Sequence, residues 1–408
     1  MNPRILPILL LGLVPTLALG LGIRIADQNP EATARGDAFA ATADNPSAIY
    51  YNPAGIAQLD GTRVLMGAYA ISLQTDVRLD APGSKSNFSS TNDEFQYAPQ
   101  LFLTWKPKQY PVALGVGVYA PFGFALDYPD DTPFRTLAHK GSIQFITINP
   151  VIAYKVCDAL SIGVGALINY GEATLERGVL ATGDQFRFKG DGSSYAFNAG
   201  LLFKPHRMHS FGVNYRSASN MDFDGRSRLQ YDGFTVPTPF GPFPVPGVDQ
   251  RQDASVRFDF PQNVVLGYSF RPTEDWNFEF NYDWTDWDTL NDVTLKQGSG
   301  DVILPFRWRS SAFYEFGVTK KFSHGCHLSA GYIYSENSVP NESFNPTIPD
   351  SDRHIYSAGF GQRLEHFNWA IAYQYAHGPS RRVDNGTLAD GSYEFDSHAL
   401  SLTLGYHF

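Results

Sequence analysis

The chain has 408 residues and a formal net charge of −10, with 41 acidic against 31 basic side chains. This acidic balance argues against nucleic acid as a partner, because proteins that bind nucleic acid gather Lys and Arg. Aromatic residues make up 14% of the chain and charged residues only 18%. That combination is unusual for a soluble enzyme and typical of membrane barrels, whose aromatic girdles meet lipid.

The first twenty residues have the pattern of an export signal. Arg4 precedes the short apolar run Ile5–Val14, and the small residues Ala18 and Gly20 suit cleavage. The run is too short to span a bilayer as a helix, and the alternative is a helix of a soluble core. We therefore predict a signal peptide at residues 1–20. No later run is long and apolar enough for a transmembrane helix, so the exported chain either stays soluble or crosses a membrane with strands.

Residues 21–61 are predicted to form a plug. Asn-Pro pairs begin at Asn29, Asn45 and Asn52. Asn is a favoured helix N-cap and Pro is favoured at the first helical position, so each pair predicts a helix start. The first helix is expected over residues 30–43, and the next two are expected as single turns. The alternative is an ordinary cap on a soluble β domain, and the remainder of the chain decides against it.

From residue 62 to residue 408 the sequence alternates with the period of β-strands. The last strand puts large apolar residues on one face: Leu400, Leu402, Leu404, Tyr406 and Phe408. Small or polar residues lie between them. A soluble sandwich also alternates, with its apolar face inward, but faces this aromatic favour lipid as the neighbour. The inward faces are then small and polar, which leaves a lumen.

The links between the strands give an independent test. We count fourteen strands, with long links after the odd-numbered strands and short turns after the even-numbered ones. Outer-membrane barrels have short periplasmic turns and long outer loops. The sequence therefore predicts an all-β fold, a fourteen-stranded antiparallel transmembrane β-barrel at 62–408. A small N-terminal helical plug, or hatch, lies in its lumen, and both termini are expected on the periplasmic side.

Four stretches carry a family resemblance: YYNPAGIAQL (Tyr50–Leu59), APFG (Ala120–Gly123), INPVIAYKVCDALSIGVG (Ile148–Gly165) and ENSVPNESFNPTIPDSDRH (Glu336–His354). Together they resemble the FadL family of outer-membrane transporters of long-chain fatty acids. The resemblance implies capture of hydrophobic substrates outside, passage into the lumen, and sideways exit through a gap at a kinked strand. It implies no energy source. Some relatives carry aromatic hydrocarbons instead, and the sequence leaves that choice open.

An outer loop is predicted between Tyr231 and Gln250, and it is strongly apolar for such a position. Phe234, Phe240 and Phe243 are its aromatic residues. Exposed apolar patches usually mark interaction sites, and the resemblance assigns this loop a landing groove for acyl chains. The alternative is a proline-stiffened lid packed on its neighbours.

Two arginines are candidates for binding a substrate carboxylate. Arg307 and Arg309 alternate with aromatic residues, so both are predicted to face the lumen. A guanidinium can bind a carboxylate with two hydrogen bonds, and Arg309 resembles a basic residue of the family's inner pocket. Phe313 is the large apolar residue on the same face. The alternative is an internal salt bridge to a nearby acid: Glu315, Asp37 or Asp44.

The third strand is interrupted around Phe122 by Pro121 and Gly123. Pro cannot donate to the sheet ladder and Gly weakens it, and unpaired backbone in lipid is costly unless something covers it. This pattern indicates a lateral exit, and the alternative is a strand that simply ends at its outer loop. The gating residues of the plug that face the exit would be Asn52, Pro53 and Ala54.

Other functional classes find little support in the sequence. It has no GxSxG or HExxH motif and no paired histidine spacing, so we expect no catalytic residues, no metal and no cofactor. A general porin and a barrel-type lipid hydrolase are the alternatives. Cys157 and Cys326 fall nearly opposite each other on one rim, too far apart for a disulfide. We expect a monomer whose partners are a hydrophobic small molecule and outer-membrane lipid, not nucleic acid.

Overall fold

The computed structural model describes residues 22–80, 87–90, 95–179, 183–239 and 241–408, so the predicted signal peptide and Phe240 lie outside it. The helices are short. They are α1 (Pro30–Thr33), α2 (Ala48–Tyr51) and 3-10 helices at Pro53–Gln58, Trp287–Thr289, Ser323–Gly325 and Asn341–Ser343. Among the described residues, no helix combines the length and the hydropathy needed to cross a bilayer.

Most of the described chain is β-strand, in twenty-two segments. They are β1 (Gly61–Leu79), β2 (Asn87–Ser89), β3 (Gln96–Lys106), β4 (Val112–Tyr119), β5 (Gly123–Asp127), β6 (Lys140–Cys157), β7 (Leu160–Arg177), β8 (Gln185–His206), β9 (His209–Arg216), β10 (Ser219–Tyr231), β11 (Phe234–Thr238), β12 (Gly241–Val245), β13 (Val248–Phe260), β14 (Asn263–Phe270), β15 (Trp276–Thr285), β16 (Asp292–Gln297), β17 (Val302–Pro305), β18 (Ser311–Lys321), β19 (Cys326–Ser335), β20 (Arg353–Arg363), β21 (Phe367–Val383) and β22 (Gly391–His407).

These segments build a closed antiparallel barrel of fourteen strands. Several barrel strands consist of two consecutive segments: β4 with β5, β9 with β10, β13 with β14, β15 with β16, and β17 with β18. β1 pairs with β22 from Arg63↔His407 to Leu79↔Gly391, which closes the ring. β2 pairs with the outer end of β1, beyond the stretch of β1 that pairs with β3, and β11 and β12 form a separate hairpin. The predicted fold class is confirmed.

The outer surface of the wall is apolar, as the alternation predicts. Leu400, Leu402 and Leu404 of β22 each expose 46% of their surface, and Ser401 and Thr403 between them are buried. Side chains alternate across a strand, so the exposed leucines lie on the outside of the ring. A continuous apolar band of this kind is typical of a barrel surrounded by lipid.

The two ends of the barrel differ in their connections. One end, which we call the short-turn end, carries tight links such as the β6–β7 turn between Cys157 and Leu160. The opposite end, which we call the long-loop end, carries the outer loops. The barrel strands begin at Gly61 and finish at the short-turn end, where Phe408 N donates to Thr62 O at 3.0 Å. The residues before Gly61 therefore enter the lumen from the short-turn end.

The inward face of the wall changes character along the barrel. Toward the short-turn end it is polar, with buried Asn149, Asn198, Ser210, Asn214, Asn277 and Asn281. Toward the long-loop end it is apolar, with buried Leu73, Val77, Phe145, Phe188, Phe223 and Phe258. The prediction of small, polar inward faces is thus wrong for the outer half. The N-terminal segment fills only the short-turn half, where its backbone needs hydrogen-bond partners, whereas apolar side chains close the outer half.

Candidate functional site

The hatch, residues 22–60, is a compact chain of single helical turns. Asn29 Oδ1 accepts from Glu31 N at 2.9 Å at the start of α1, and Asn52 Oδ1 accepts from Ala54 N at 3.2 Å at the start of the 3-10 helix. Both residues cap helices whose first position is Pro, the combination that the sequence predicts.

The first helix is shorter than predicted, because it ends at Thr33 and not near Ala43. Gly36 and Asp37 follow with φ angles of 60° and 54°. These angles lie in the left-handed region, which terminates a right-handed helix. The chain then turns back across the lumen, so that the hatch touches the whole ring of strands.

Polar side chains of the wall hold the hatch backbone. Asn198 donates to Ile49 O at 3.1 Å, and Asn214 donates to Tyr50 O at 3.2 Å. On other strands Ser210 donates to a hatch carbonyl at 2.6 Å, and Asn281 and Gln100 do so at 3.1 Å and 2.9 Å. The short helices leave carbonyls without internal partners, and the polar half of the wall supplies them.

Wall glycines lie where the hatch backbone touches the barrel. A Cβ on Gly200 would be 2.2 Å from Asn52 Oδ1, and a Cβ on Gly163 would be 2.5 Å from Pro53 C. Asn52, Pro53 and Ala54 therefore face β7 and β8. The helix that these residues begin also lies next to β6 and β4, the first segment of the interrupted third strand, so the expectation that they face that strand stays a prediction.

The predicted exit, residues 121–123, lies at an interruption of the third barrel strand. β4 ends at Tyr119, and its register with β3 runs only from Leu101↔Val118 to Trp105↔Leu114. Among the described strands, β5 pairs with β6 alone. The ladder between the second and third barrel strands therefore stops at this seam.

The N-terminal residues 22–28, which we call the strap, cover the seam. Ile25 N donates to Pro121 O at 2.8 Å, and Gly123 N donates to Ile23 O at 2.8 Å. Gln28 Nε2 adds a bond to the next free carbonyl, that of Ala120, at 2.9 Å. The strap thus satisfies the backbone groups that the interruption leaves unpaired, which is the role that the sequence assigned to Asn52, Pro53 and Ala54.

Arg24 fixes the strap inside the lumen, and the sequence analysis did not identify it. Its guanidinium binds Asp283 through both carboxylate oxygens, at 2.8 and 2.6 Å, and Thr285 Oγ1 at 2.9 Å. It lies 5.9 Å from the ring centroid of Phe313. Arginine and aspartate are both buried. A single charge inside an otherwise apolar stretch was the signal available in the sequence.

Two further carboxylates of the hatch differ in their surroundings. Burial, followed by the neighbouring carboxyl of Asp27, raises the pKa of Asp37 well above its usual value. Burial also acts to raise the pKa of Glu31, but the guanidinium of Arg363 outweighs it, so this pKa is lowered. The hatch therefore holds a charged contact at the short-turn end and a less readily ionised acid pair deeper in the lumen.

The lumen beyond the hatch is lined with aromatic rings that reach the seam. The ring centroid of Phe122 lies 5.3 Å from that of Phe145, 5.0 Å from that of Phe260 and 6.4 Å from that of Trp287. Phe313 is buried on the lumen face, as its position in the pattern predicts. The seam and the apolar lumen therefore form one continuous surface.

Arg353 is another buried arginine of the lumen. One of its terminal nitrogens is 2.6 Å from Asp350, and its guanidinium lies 3.9 Å from the ring centroid of Phe395. Its Nε and other terminal nitrogen have no partner among the described residues. Arg353 lines a cavity of about 30 Å³ together with Arg24, Phe313 and Ile355. Unpaired donors beside apolar side chains suit a small oxyanion with an apolar tail.

Arg307 and Arg309 do not face the lumen, and their predicted orientation is wrong. Trp308 between them is only 4% exposed and packs on Trp287, whereas both arginines are exposed. Arg307 forms a 3.3 Å ion pair with Asp292 on the surface. The segment between β17 and β18 is not strand, and Arg307 has a φ of 47°, so the alternation within β18 does not extend to it.

The alternative internal salt bridge for these arginines is also wrong. Glu315 instead accepts from Asn281 Nδ2 at 2.8 Å. Asp44 is 3.1 Å from Arg363, and Asp37 accepts from a tyrosine hydroxyl of α2 at 2.9 Å. The acids of the lumen thus find their partners within the hatch and on other strands.

Two apolar surfaces lie at the long-loop end. In the β11–β12 hairpin, Phe234 is 39% and Phe243 is 63% exposed. A separate groove of about 290 Å³ is lined mainly by apolar residues, which include Leu137, Leu304, Phe306, Trp308, Val339, Phe344 and Ile348. The groove adjoins the lumen, because Trp308 and Val339 belong to the same apolar cluster as Phe122. Sequence reasoning identified the hairpin and missed the groove.

Comparison with known proteins decides the family. The sequence model described as outer membrane protein transport protein (OMPP1/FadL/TodX) matches residues 11–408. The chain belongs to this family. The FadL/TodX family consists of outer-membrane transport proteins, so this barrel lies in an outer membrane and the resemblance seen in the sequence is confirmed.

Relatives of this FadL/TodX barrel match nearly its whole length. A long-chain fatty acid transport protein of Escherichia coli is 23% identical over 430 residues, which cover 97% of this chain and 95% of the relative. A crystallised Pseudomonas aeruginosa FadL homologue superposes with a TM-score of 0.81 at 20% identity, covering 95% and 100% of the two chains. The Ralstonia pickettii toluene transporter TbuX gives 0.72 at 16% identity, covering 93% and 98%. At these identities the structural likeness establishes the fold.

Proposed function

We propose that this barrel passively carries long-chain fatty acids or similar hydrophobic molecules across the outer membrane and releases them sideways at the seam. The observation that supports this proposal is the interrupted ladder at residues 120–122, which adjoins an aromatic lumen and whose backbone groups are bound by the strap. The short-turn end would face the periplasm, with both termini there, and a monomer is sufficient for this path.

The proposed path runs from the long-loop end to the lipid. An apolar molecule enters the groove at Phe306 and Phe344, passes the rings around Phe122, and displaces the strap from the seam. The hatch blocks the straight route, because wall glycines and amides hold it. Lateral release also avoids water: each methylene costs about 0.8 kcal/mol to expose, so an acyl chain of about 16 carbons gains on the order of 12 kcal/mol by entering lipid instead.

Within this path we assign the carboxylate to Arg353 and not to Arg309. Arg353 is buried beside apolar side chains and keeps two donors without partners in the described chain. Arg24 is already bound by Asp283 with both oxygens, so it serves to hold the strap. The methylenes next to the carboxylate would lie against Phe313 and Ile355, which line the same cavity.

Aromatic hydrocarbons are the second candidate substrate. The rings around Phe122 would suit them, and the structurally similar TbuX is a toluene transporter. An uncharged hydrocarbon needs no hydrogen-bond donor, whereas a fatty acid carboxylate does. The dependence of uptake on Arg353 therefore distinguishes the two candidate substrates. A general porin has less support, since the hatch fills the short-turn half of the lumen and apolar side chains line the outer half.

Replacing Arg353 with lysine tests the substrate. Lysine keeps a charge for Asp350 but loses the unpaired donors of the planar guanidinium. We expect oleate uptake to fall about tenfold, as for the loss of one charged hydrogen bond, while toluene uptake stays unchanged. The measurement is uptake of each labelled compound by cells that lack their own importer, at matched surface levels. Arg309→Lys is the control, and an equal loss with it would contradict the assignment.

A disulfide across the seam tests the exit. Arg24 and Phe122 are a non-hydrogen-bonded antiparallel pair, whose Cα atoms are about 4.5 Å apart, within reach of a disulfide. The variant carries Arg24→Cys and Phe122→Cys, which supply the two thiols. It also carries Asp283→Asn, because the carboxylate of Asp283 would otherwise lack its partner Arg24. Cys157→Ser and Cys326→Ser remove the native thiols.

We expect the oxidised variant to lose oleate uptake and the reduced variant to recover it. The two single-cysteine variants, treated with the same oxidant, control for damage. Full uptake by the oxidised variant would mean that the strap does not move away from the seam, and the lateral exit would be abandoned.

A further inference from the structure

A charged pocket lies at the short-turn end, on the side of the hatch away from the proposed path. It has a volume of about 200 Å³ and opens between the hatch and β14, β15, β18, β19 and β20. Its charged lining comprises four cations and two carboxylates: Arg35, Arg271, Lys321, Arg363, Glu31 and Asp44. We call this pocket the basal well.

Two of the cations are used within the protein. Arg363 contacts Glu31 and lies 3.1 Å from Asp44, so it holds both hatch carboxylates. Arg35 donates to Glu31 O at 3.1 Å and faces Glu279, at 4.0 Å, on the wall. These contacts join the hatch to the barrel, and they pair both carboxylates of the basal well with Arg363.

The other two cations have no acidic partner within ion-pair distance in the described chain. Arg271 donates from its side chain only to Thr42 Oγ1, at 3.2 Å. The side chain of Lys321 has no hydrogen bond or ion pair among the described residues, and it is exposed to solvent. The chain as a whole carries a net charge of −10, so an excess of cations in one pocket is a local feature.

We propose that the basal well binds an oxyanion, a carboxylate or a phosphate, between Arg271 and Lys321. A guanidinium offers a planar pair of donors and an ammonium offers a mobile charge, and both form their strongest hydrogen bonds with oxyanions. The ion can come from a phospholipid headgroup, from free phosphate, or from the carboxylate of an amphiphile. The inference goes beyond the transport proposal and does not depend on it, because binding here requires no uptake.

Two native cysteines provide the test. Cys326 lines the basal well, and Cys157 is exposed on another turn of the same end. An anion in the well shields Cys326 and leaves Cys157 accessible. The experiment measures alkylation of both thiols by a neutral maleimide, on the full chain in uncharged detergent. The probes are inorganic phosphate, octanoate and a short-chain phosphatidylglycerol, with sodium chloride at equal ionic strength and octyltrimethylammonium as controls.

We expect at least one oxyanion to slow alkylation of Cys326 about tenfold at a concentration of about ten times its dissociation constant, with Cys157 unchanged. Protection by phosphate indicates free phosphate as the source of the oxyanion. Protection by octanoate alone indicates the carboxylate of an amphiphile, and protection by the phospholipid alone indicates a headgroup. Lys321→Gln, at an exposed position, and Arg271→Gln should each weaken the protection, whereas Lys155→Gln, which removes a lysine paired with Asp158, should not. Equal protection by chloride, no protection by any oxyanion, or full protection in both Lys321→Gln and Arg271→Gln would overturn the proposal.

Discussion

Replacement of Asp283 by alanine is expected to destabilise the protein by about 3–5 kcal/mol, the usual cost of removing one partner from a buried ion pair. The guanidinium of Arg24 would be left in the lumen beside the uncharged hydroxyls of Thr285 and Tyr50, without a counter-ion. The strap should then leave the seam, because a buried charge without a counter-ion is more stable in water. Urea unfolding in lipid vesicles gives the free energy, and hydrogen exchange of strap amides reports the local release.

Two variants distinguish a lost charge pair from simple damage. Arg24→Met combined with Asp283→Leu removes both charges and should recover most of the stability. Asp275→Ala breaks an exposed pair with Lys320, at 2.9 Å, and should cost no more than about 1 kcal/mol. If the double variant is as unstable as Asp283→Ala, the pair is not the source of the effect.

Replacement of Gly212 by alanine is expected to unseat the hatch. The new Cβ would be 2.1 Å from Ala40 O, a backbone atom of the hatch that cannot rotate away. Overpacking of this kind costs about 3 kcal/mol, and the neighbouring Gly267 also lies close to the hatch, since a Cβ built on it would be 3.0 Å from Ala40 Cβ. The plugged lumen should therefore become leaky.

The readout is permeability of reconstituted vesicles to a small sugar, together with the unfolding midpoint. Gly298→Ala is the matched control, because its Cβ would meet only Gln252 Oε1, at 3.4 Å. We expect a leak with Gly212→Ala and none with Gly298→Ala. An unchanged permeability and midpoint in Gly212→Ala would show that the hatch does not depend on this contact.

The barrel could be predicted from the sequence, because each strand carries its own alternation and each link its own length. Residues such as Leu400 and Ser401 specify inward and outward faces without reference to distant parts of the chain. The alternation fails where a segment leaves the strand conformation. Arg307 has a positive φ and precedes β18. The alternation within β18 therefore does not apply to Arg307 or Arg309, which were predicted to face the lumen.

The contacts of the hatch could not be predicted from local patterns. Arg24 and Asp283 are 259 residues apart, and nothing in either neighbourhood indicates the other. Asn52 was correctly expected to begin a helix, but its placement against Gly200 depends on how the closed ring surrounds the hatch. Arg353 was within a quoted motif, yet its free donors become visible only when the lumen is assembled.

The hydrogen bonds between wall amides and hatch carbonyls also constrain assembly of the protein. The hatch touches strands around the whole ring, and it precedes β1 in the chain. Those bonds can all form only when strands from every side of the ring surround the hatch. The hatch and the polar half of the wall therefore reach their final order together, and pairing of β1 with β22 closes the ring around both.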